Sequence, residues 1–254
     1  MELPKPKLGN VTAITMSSPD LAKSLSFYQK LGFHEVMRSD FPFPWIQVSD
    51  GALLMMVRFG KDPYIALTYY VSDIANLVSG LEKEDVQFAE KPNPGDMIQR
   101  YLIRSPDGLT ISLVGIFDGF LQPEGPTMLR MVPQDMGNPE KYVNKVCGMF
   151  GELAHPVKDL EASILWWSTL GFKALSKFTS PYPWAILSDG LAIVGLHQTT
   201  KFDYPVITYF AMDMKEKIGK LKESGLDGIP ENAGPSITLE TPEKQHFNLF
   251  SMGI

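Results

Sequence analysis

Hydrophobic residues along this chain follow two spacings, one typical of strands and one typical of helices. A short apolar run, Val11–Met16, has strand character and leads to Asp20. Leu21, Leu25 and Tyr28 then recur at helical spacing, and an aspartate just ahead of them is suited to cap the helix N-terminus. The sequence therefore predicts a strand followed directly by an amphipathic helix.

Three further strand-like runs follow, and a Ser-Asp-Gly turn joins the last two of them. These runs are Glu35–Ser39, Trp45–Val48 and Ala52–Phe59. The order then starts again, with the strand Ile65–Val71, a helix marked by Ile74, Leu77, Val78 and Leu81, and strands near Ile98–Ile103 and Leu109–Val114. Two more helices, Leu160–Leu170 and Met214–Leu221, occupy the corresponding places later in the chain. We therefore predict an α+β fold of four βαβββ units.

The second half of the chain repeats the first at an offset of 139 residues. Without gaps, residues 20–59 and 159–198 share 12 identities in 40, which is more than chance would give. The repeat includes PFPWIQVSDG, which begins at Pro42, and PYPWAILSDG, which begins at Pro181. Since each copy contains two predicted units, the duplication favours two similar domains.

The predicted domains are residues 1–116 and 146–254. Residues 117–145 between them contain four prolines and are predicted to be a linker, because proline fixes φ and lacks an amide donor. The same segment carries apolar residues, such as Met128 and Leu129. These favour a linker that is partly docked on the domains over a free tether.

Composition and charge narrow the classes of function. Hydrophobic residues make up 44% and charged residues 20% of the chain, and the net charge is -6. The sequence has no basic run, no long apolar stretch and no signal-peptide pattern, so we expect a cytoplasmic protein that binds neither nucleic acid nor a membrane. Cys147 is the only cysteine, which favours a buried apolar role over a nucleophilic one. No Gly-rich phosphate loop, CxxC, HExxH or GxSxG motif is present.

Four segments resemble signatures of the vicinal-oxygen-chelate superfamily, which includes glyoxalase I, extradiol dioxygenases and bleomycin-binding proteins. DLAKSLSFYQKLGF (Asp20–Phe33) and DLEASILWWSTLGF (Asp159–Phe172) resemble the first helix of the family. SPDGLTISL (Ser105–Leu113) and, more weakly, TPEKQHFNL (Thr241–Leu249) resemble its closing turn and strand. The resemblance implies a glyoxalase-like fold, in which two cupped mixed β-sheets with flanking helices each enclose a cavity. One fold supports many chemistries, so it implies little about function by itself.

The resemblance also implies a divalent metal in the cup, held by His, Glu or Gln, as in most enzymes of the family. The corresponding positions of the first half are Ala13, Met55, Ala66 and Ser112. None of these is a good ligand, so we predict that the first half binds no divalent metal. The corresponding positions of the second half are Glu152, Val194, Val206 and Asn248.

In the second half, Glu152 and His246 are the candidate catalytic residues, and also the weak candidates for an atypical metal site. His246 lies two residues before Asn248 and therefore points to the same face of the strand. All three are predicted to share one hydrogen-bonding neighbourhood, either as a polar cluster that binds a ligand or as metal ligands. The remaining histidines are interpreted as solvated or structural, and His197 is placed on the face away from the cup.

Aromatic residues recur at equivalent places in the two halves and are candidate walls for a ligand. Trp45 and Trp184 each follow a Pro-aromatic-Pro sequence, which indicates either an aromatic wall or a core residue at a stiff strand start. Aromatic pairs in two later strands should place one ring toward each cup. The predicted ligand-binding residues are Trp45, Trp184, Tyr69, Tyr209, Ser112 and Asn248.

Three interpretations of function remain at this stage. The favoured one is a small-molecule-binding protein, or a metal-independent enzyme, that holds an aromatic or polar ligand in a cupped sheet and uses no cofactor. The alternative is a metal-dependent lyase or dioxygenase of glyoxalase type, with an atypical site in the second domain. A scaffold without a ligand is the third. Both a monomer and a homodimer are compatible with the sequence, and the tandem arrangement favours a monomer.

Overall fold

The computed structural model describes residues 4–116 and 143–251. The elements of the first half are β1 (Val11–Ser18), α1 (Leu21–Lys30), β2 (His34–Ser39), β3 (Trp45–Ser49), β4 (Leu54–Phe59), β5 (Ile65–Val71), α2 (Ile74–Lys83), β6 (Arg100–Arg104) and β7 (Thr110–Gly115). Those of the second half are β8 (Val143–Asn144), β9 (Gly148–Pro156), α3 (Leu160–Thr169), β10 (Lys173–Phe178), β11 (Trp184–Ser188), β12 (Ile193–His197), β13 (Val206–Ala211), α4 (Met214–Glu223), β14 (Ile237–Glu240) and β15 (His246–Ser251).

Aspartate side chains cap the starts of α1, α2 and α3, as the sequence indicated for α1. The carboxylate of Asp20 accepts a hydrogen bond from the Lys23 amide at 2.9 Å, and Asp159 accepts one from Ala162 at 3.0 Å. These bonds satisfy backbone donors that the first helical turn leaves free. Gly32 follows α1 with φ of +86°, a conformation that favours glycine. Among the helices of the described ranges, none combines the length and hydropathy that a bilayer crossing requires.

The two halves build mixed sheets with the same strand order. The first sheet runs β2-β3-β4-β1-β5-β7-β6, and the second runs β10-β11-β12-β9-β13-β15-β14, with β8 added beside β9. The predicted glyoxalase-like fold is therefore confirmed. In the second unit of each half, the described residues form two strands after the helix instead of three. An isolated bridge between Glu90 and Leu102 occupies the place of the missing strand in the first half.

The predicted linker lies almost entirely outside the described residues. Only residues 143–145 of it are described, and Val143 and Asn144 pair with the start of β9. Asn144 also donates a hydrogen bond to the Leu31 carbonyl at 2.9 Å. The end of this segment is therefore attached to both halves of the molecule.

Buried hydrogen bonds join the two halves in a reciprocal pattern. Tyrosine hydroxyls from β5 and β13 each reach the aspartate in the Ser-Asp-Gly turn of the other half, and the acidic residue of each closing turn reaches the first helix of the other half. The contacts are Tyr69 to Asp189 (2.5 Å), Tyr209 to Asp50 (2.7 Å), Tyr28 to Glu243 (2.8 Å) and Ser163 to Asp107 (2.7 Å). One face of each sheet thus packs toward the helices and the other half, which leaves the opposite face free to form a cup.

Candidate ligand-binding cups

The concave face of the first sheet, called the first cup, encloses a cavity of about 660 Å³. Hydroxyl side chains on three neighbouring strands line its centre: Thr15 on β1, Thr68 on β5 and Ser112 on β7. Thr68 pairs with Ser112 across the strands and donates a hydrogen bond from its hydroxyl to that of Thr15, at 2.8 Å. These side chains are short, so the centre of the cup stays open.

Aromatic rings supply much of the wall of this cavity. They are Phe41, Phe43, Trp45, Tyr64 and Tyr70. The indole N–H of Trp45 donates to the Phe41 carbonyl at 3.1 Å, which holds the ring against the proline-rich strand start. Further apolar lining comes from Met56, Met97, Ile98, Val114 and Ile116. Such a wall suits a flat, apolar body.

One cation of the first cup has no carboxylate partner among the described residues. Arg58 on β4 donates from Nε to the Ser17 hydroxyl at 3.1 Å, and its guanidinium carbon lies 4.5 Å from the centre of the Tyr64 ring. Burial lowers the pKa of Arg58 and the positive charge of Arg100 lowers it further, while Tyr64 and the more distant carboxylate of Glu90 act in the opposite direction. Arg100 itself forms an ion pair with Glu90 at 2.7 Å. Arg58 is therefore the cation that remains available to an anionic ligand.

Two tyrosine hydroxyls of the first cup stay protonated at neutral pH. Burial raises the pKa of Tyr70, whose hydroxyl donates to the sulfur of Met56 at 3.2 Å. Burial also raises the pKa of Tyr64, and the positive charge of Arg58 acts in the opposite direction. The Tyr64 hydroxyl can donate a hydrogen bond to a ligand that carries acceptor atoms, whereas that of Tyr70 is already given to Met56.

The corresponding face of the second sheet, called the second cup, carries a buried carboxylate. Glu152 on β9 is 2% exposed and accepts a hydrogen bond from Nε2 of His197 at 2.8 Å. The other ring nitrogen of His197, Nδ1, lies 3.3 Å from the Tyr182 hydroxyl. A proton on Nε2 satisfies the contact with Glu152, and the Tyr182 hydroxyl can either donate to Nδ1 or accept from it.

Glycine at position 195 makes room for the Glu152 side chain. A Cβ atom on Gly195 would overlap the carboxylate of Glu152. The equivalent residue of the first sheet is Met56, which lines the cavity there. Neither Oε2 of Glu152 nor the buried Oδ1 of Asn248 has a hydrogen-bond partner. Both residues pair with Thr208 on β13. Glu152 lies on the strand to one side of it, β9, and Asn248 lies on the strand to the other side, β15.

A row of six rings crosses the second half. In order, the members of this aromatic row are Phe178, Trp184, His197, Phe202, Tyr204 and His246. Trp184 stacks on His197 with ring centres 5.3 Å apart and planes 6° apart, and Tyr204 stacks on His246 at 3.5 Å. Burial lowers the pKa of His246. The row is only partly covered, so its rings are accessible from one side.

The structure places several predicted site residues where the sequence indicated. Trp45 and Ser112 line the first cavity, and Trp184 stacks on the histidine that binds Glu152. Asn248 lies beside Thr208 with its carbonyl oxygen buried. Their roles in ligand binding stay predictions.

The assignment of Tyr69 and Tyr209 to the cups was wrong. Both side chains are fully buried in the hydrophobic core, and their hydroxyls bind aspartates of the opposite half. In the first half, the cup-facing ring of the pair is Tyr70. Successive strand residues point to opposite faces, and two adjacent aromatics give hydropathy no basis for choosing between them.

The predicted grouping of Glu152 with His246 is also incorrect. No hydrogen bond within the described residues joins these two side chains, and the partner of Glu152 is His197. His197 was missed because Val194 was taken as cup-facing, which put His197 on the opposite face. The structure places Val194 in the core. Met55 is misplaced in the same way in the first half. His197 faces the cup because it points away from Val194.

Neither cup offers a set of donors that fits the expected divalent metal. Hydroxyls and a thioether surround the centre of the first cup. The second combines one carboxylate, which already binds His197, with the amide of Asn248. Across the described ranges, no group of three or more His, Cys, Asp or Glu side chains is arranged to hold a metal ion. A family-type centre of His and Glu ligands therefore does not fit this chain.

Comparison with known proteins agrees with the architecture. Residues 10–113 match the model of the Glyoxalase/Bleomycin resistance protein/Dioxygenase superfamily. Among curated proteins, none matches the chain. Similar solved structures include homoprotocatechuate 2,3-dioxygenase from Arthrobacter globiformis, at 13% identity over 99% of this chain and 82% of that chain, with a TM-score of 0.61. The 2,3-dioxygenase LapB from Pseudomonas sp. KL28 is 15% identical over 98% of this chain and 94% of that chain, with a TM-score of 0.57.

Identities this low establish the fold and not the activity. The match to the family model covers the first sheet, and the second sheet repeats its strand order. Residues 10–113 thus belong to the glyoxalase/bleomycin resistance protein/dioxygenase superfamily, and the two sheets carry its fold in tandem along the chain.

Proposed function

We propose that this protein binds a small organic anion with a flat, apolar body in the first cup, without using a metal ion. The observation that carries the proposal is an open cavity of about 660 Å³ that contains Arg58, a cation with no carboxylate partner among the described residues. Small-molecule sites typically have volumes of about 300–1,000 Å³ and combine apolar walls with a few polar groups.

The chemistry of the lining supports an anion in particular. A guanidinium held in an apolar cavity is best satisfied by a carboxylate or a similar planar anion, which can accept two of its N–H groups. The protonated hydroxyl of Tyr64 adds a donor beside it. The rings of Phe43 and Trp45 would contact the faces of the apolar body.

Binding is favoured over catalysis at this cup. Glu90, a carboxylate of the lining, is paired with Arg100, and the two tyrosines hold their protons more tightly than usual. A general base needs a pKa near the working pH and a free lone pair, which these groups do not supply. A metal-dependent lyase or dioxygenase is disfavoured by the donors present, as described above.

We further propose that the chain acts as a monomer in the cytoplasm. Reciprocal hydrogen bonds between the halves, such as Tyr69 to Asp189, supply within one chain the pairing that two single-domain subunits would make. The one cysteine, Cys147, is a buried thiol and depends on no oxidising compartment.

Calorimetric titration with 2-naphthoate and 2-naphthylmethanol, in buffer with EDTA, tests the proposed ligand class. The two probes share a flat ring system and differ in charge. Arg58→Met should weaken 2-naphthoate binding by about 10- to 100-fold, because charge-assisted hydrogen bonds contribute about 1.5–3 kcal/mol. Binding of the alcohol should change by less than about threefold, since it makes no ion pair.

Arg104→Met is the matched control, because Arg104 is an exposed arginine of the same sheet that does not line the cavity. It should leave the affinity for both probes unchanged. Two results would contradict the proposal: no measurable binding of either probe to the wild-type protein, or equal 2-naphthoate affinity in Arg58→Met and wild type.

A further inference from the structure

One carboxylate oxygen of Glu152 has no partner in the second cup. Oε1 accepts from Nε2 of His197, whose other ring nitrogen lies beside the Tyr182 hydroxyl. The second oxygen, Oε2, is buried and lacks any hydrogen bond, and a buried polar atom left in this way is costly. The site therefore has capacity for one more hydrogen-bond donor, and a positively charged donor suits a carboxylate best.

A second unused acceptor lies on the same face of the sheet. Oδ1 of Asn248 is buried and unpaired, and Asn248 and Glu152 are the two neighbours of Thr208 across β15 and β9. Strands lie about 4.8 Å apart, so the two backbones are about 10 Å apart. The Glu152 carboxylate leans away from β15, over Gly195 and toward His197 on β12, so the two oxygens are separate acceptors and the one beside the aromatic row is that of Glu152.

The aromatic row provides a wall that suits a cation. Trp184 and His197 are stacked beside Glu152, and Tyr204 covers His246 further along. A ring next to the row already holds a cation, because Nζ of Lys201 lies 5.5 Å from the centre of the Tyr182 ring, which contacts His197. Aromatic faces attract cations through the negative side of their quadrupole.

Two exposed carboxylates lie near His246 at the rim of the second cup, and one of them, Glu240, pairs with Lys244. Asp203 and Glu240 are exposed, and both act on the pKa of His246 in the direction that an anion does. In the first cup, Arg58 stands at the position equivalent to His197, and Ala13 stands at that of Glu152. The second cup thus lacks the cation of the first and gains a carboxylate.

We propose that the second cup binds a primary organic ammonium ion, with Glu152 as its counter-charge and the aromatic row as its wall. The proposal does not depend on the ligand of the first cup. Primary ammonium supplies one positive charge and N–H donors, one of which would bond the unused Oε2 of Glu152.

Titration with benzylammonium, benzyl alcohol and benzyltrimethylammonium separates charge from hydrogen bonding. The readout is the ring ¹H–¹³C signals of His197 and His246, with His34 as an internal reference because it is exposed in the first half. Benzylammonium should shift the signals of both second-cup histidines and bind at least about tenfold tighter than benzyl alcohol. Benzyltrimethylammonium should bind more weakly than benzylammonium, because it has no N–H donor.

Glu152→Gln should remove the preference for benzylammonium over the alcohol. Glu161→Gln makes the same substitution at an exposed carboxylate of the second half and should leave the preference unchanged. If Glu152→Gln does not fold, Trp184→Leu serves instead and should weaken benzylammonium binding, because Trp184 stacks on the histidine that bonds Glu152. Three results would overturn the proposal: no shift at His197 or His246 in the wild-type protein, equal affinity for benzylammonium and benzyl alcohol, or equal affinity for the two cations.

Discussion

The two cups occupy the same place in sheets of the same strand order, yet their side chains differ in charge and in bulk. At matched strand positions, the first cup has Ala13, Met56, Arg58 and Ser112, and the second has Glu152, Gly195, His197 and Asn248. Thr68 and Thr208 stay the same between them. Four substitutions thus convert a cavity with an unpaired cation into a site with a buried carboxylate.

The difference shows where the duplicated fold tolerates change. The contacts that join the halves are kept in matching form, as in Tyr69 to Asp189 and Tyr209 to Asp50. Cup positions face no other element of the core, so a substitution there alters recognition without disturbing the frame. The exceptions are positions where one half buries a polar group that the other half lacks. A substitution at such a position should change the stability of the folded protein.

The largest expected effect is a loss of folding stability at acidic pH, caused by a residue of the second half. Burial lowers the pKa of His155 to about 4 from an ordinary value of 6.5, with the nearby Asp107 acting in the opposite direction. The matched residue in the first half is Met16, which does not titrate. Because the unfolded chain binds a proton more readily than the folded one, stability is full above pH 6.5 and falls as pH drops through about 4.

The lost stability should reach about 3 kcal/mol by linkage. Urea unfolding between pH 7 and pH 4 measures it, and His155→Met should flatten the pH dependence over that range. Parallel curves for the two proteins would mean that His155 does not control the acid transition.

Alanine at Gly195 should destabilise the protein through Glu152. The new Cβ overlaps the Glu152 carboxylate, and overpacking of this kind typically costs about 1–3 kcal/mol. The double variant Gly195→Ala/Glu152→Ala should recover most of the loss, which a double-mutant cycle by urea unfolding will measure. Gly219→Ala is the control, because a Cβ there meets nothing within 4 Å. If the effects of the two substitutions on the free energy of unfolding simply add, Glu152 does not depend on the space that Gly195 leaves.

Removing the two core tyrosine hydroxyls should have unequal effects. Burial raises the pKa of Asp189, which is fully buried, and Tyr69 is the donor to its Oδ2. Oδ2 of Asp50 accepts from Tyr209 and also from Asn144 at 3.0 Å. Tyr69→Phe should therefore cost about 1–2 kcal/mol, and Tyr209→Phe less. Unfolding free energies in the reverse order would contradict this reading of the interface.

The smallest expected effect is that of removing divalent metal ions with a chelator. Since neither cup presents a fitting donor set, protein purified without chelators should contain no stoichiometric divalent metal. EDTA should leave the melting temperature and 2-naphthoate affinity unchanged. Metal analysis by mass spectrometry is the measurement, and about one metal ion per chain, lost together with ligand binding, would revive the metal-dependent alternative.

The repeat and the hydrophobic spacing predicted most of the element order, and the resemblance to the vicinal-oxygen-chelate superfamily predicted the cupped sheets. Turn residues such as Asp50 and capping residues such as Asp20 act locally, so their roles can be read without knowing the tertiary structure. The strand register is less well determined, because a shift of one residue reverses every side chain. That shift put Met55 and Val194 in the cups instead of Met56 and Gly195.

The candidate sites depend on contacts that no local pattern contains. Arg58 and His197 lie at the same position of the repeat, and a charged or titratable residue on both copies of an apolar strand was a signal that could have identified them. The hydroxyls of Tyr69 and Tyr209 go to the other half, since buried tyrosine needs a partner and the aspartate turns supply one. Such pairings follow only from how the halves pack.

The central claim is that the first cup binds an organic anion without metal, and methyl spectroscopy tests it most directly. In protein with ¹³C-labelled methionine methyls and EDTA present, saturating 2-naphthoate should shift the signals of Met56 and Met97, which line the cavity. The signal of Met214, buried in the core of the second half, should stay in place. No shift at Met56 and Met97, or a shift that requires added divalent metal, would contradict the account.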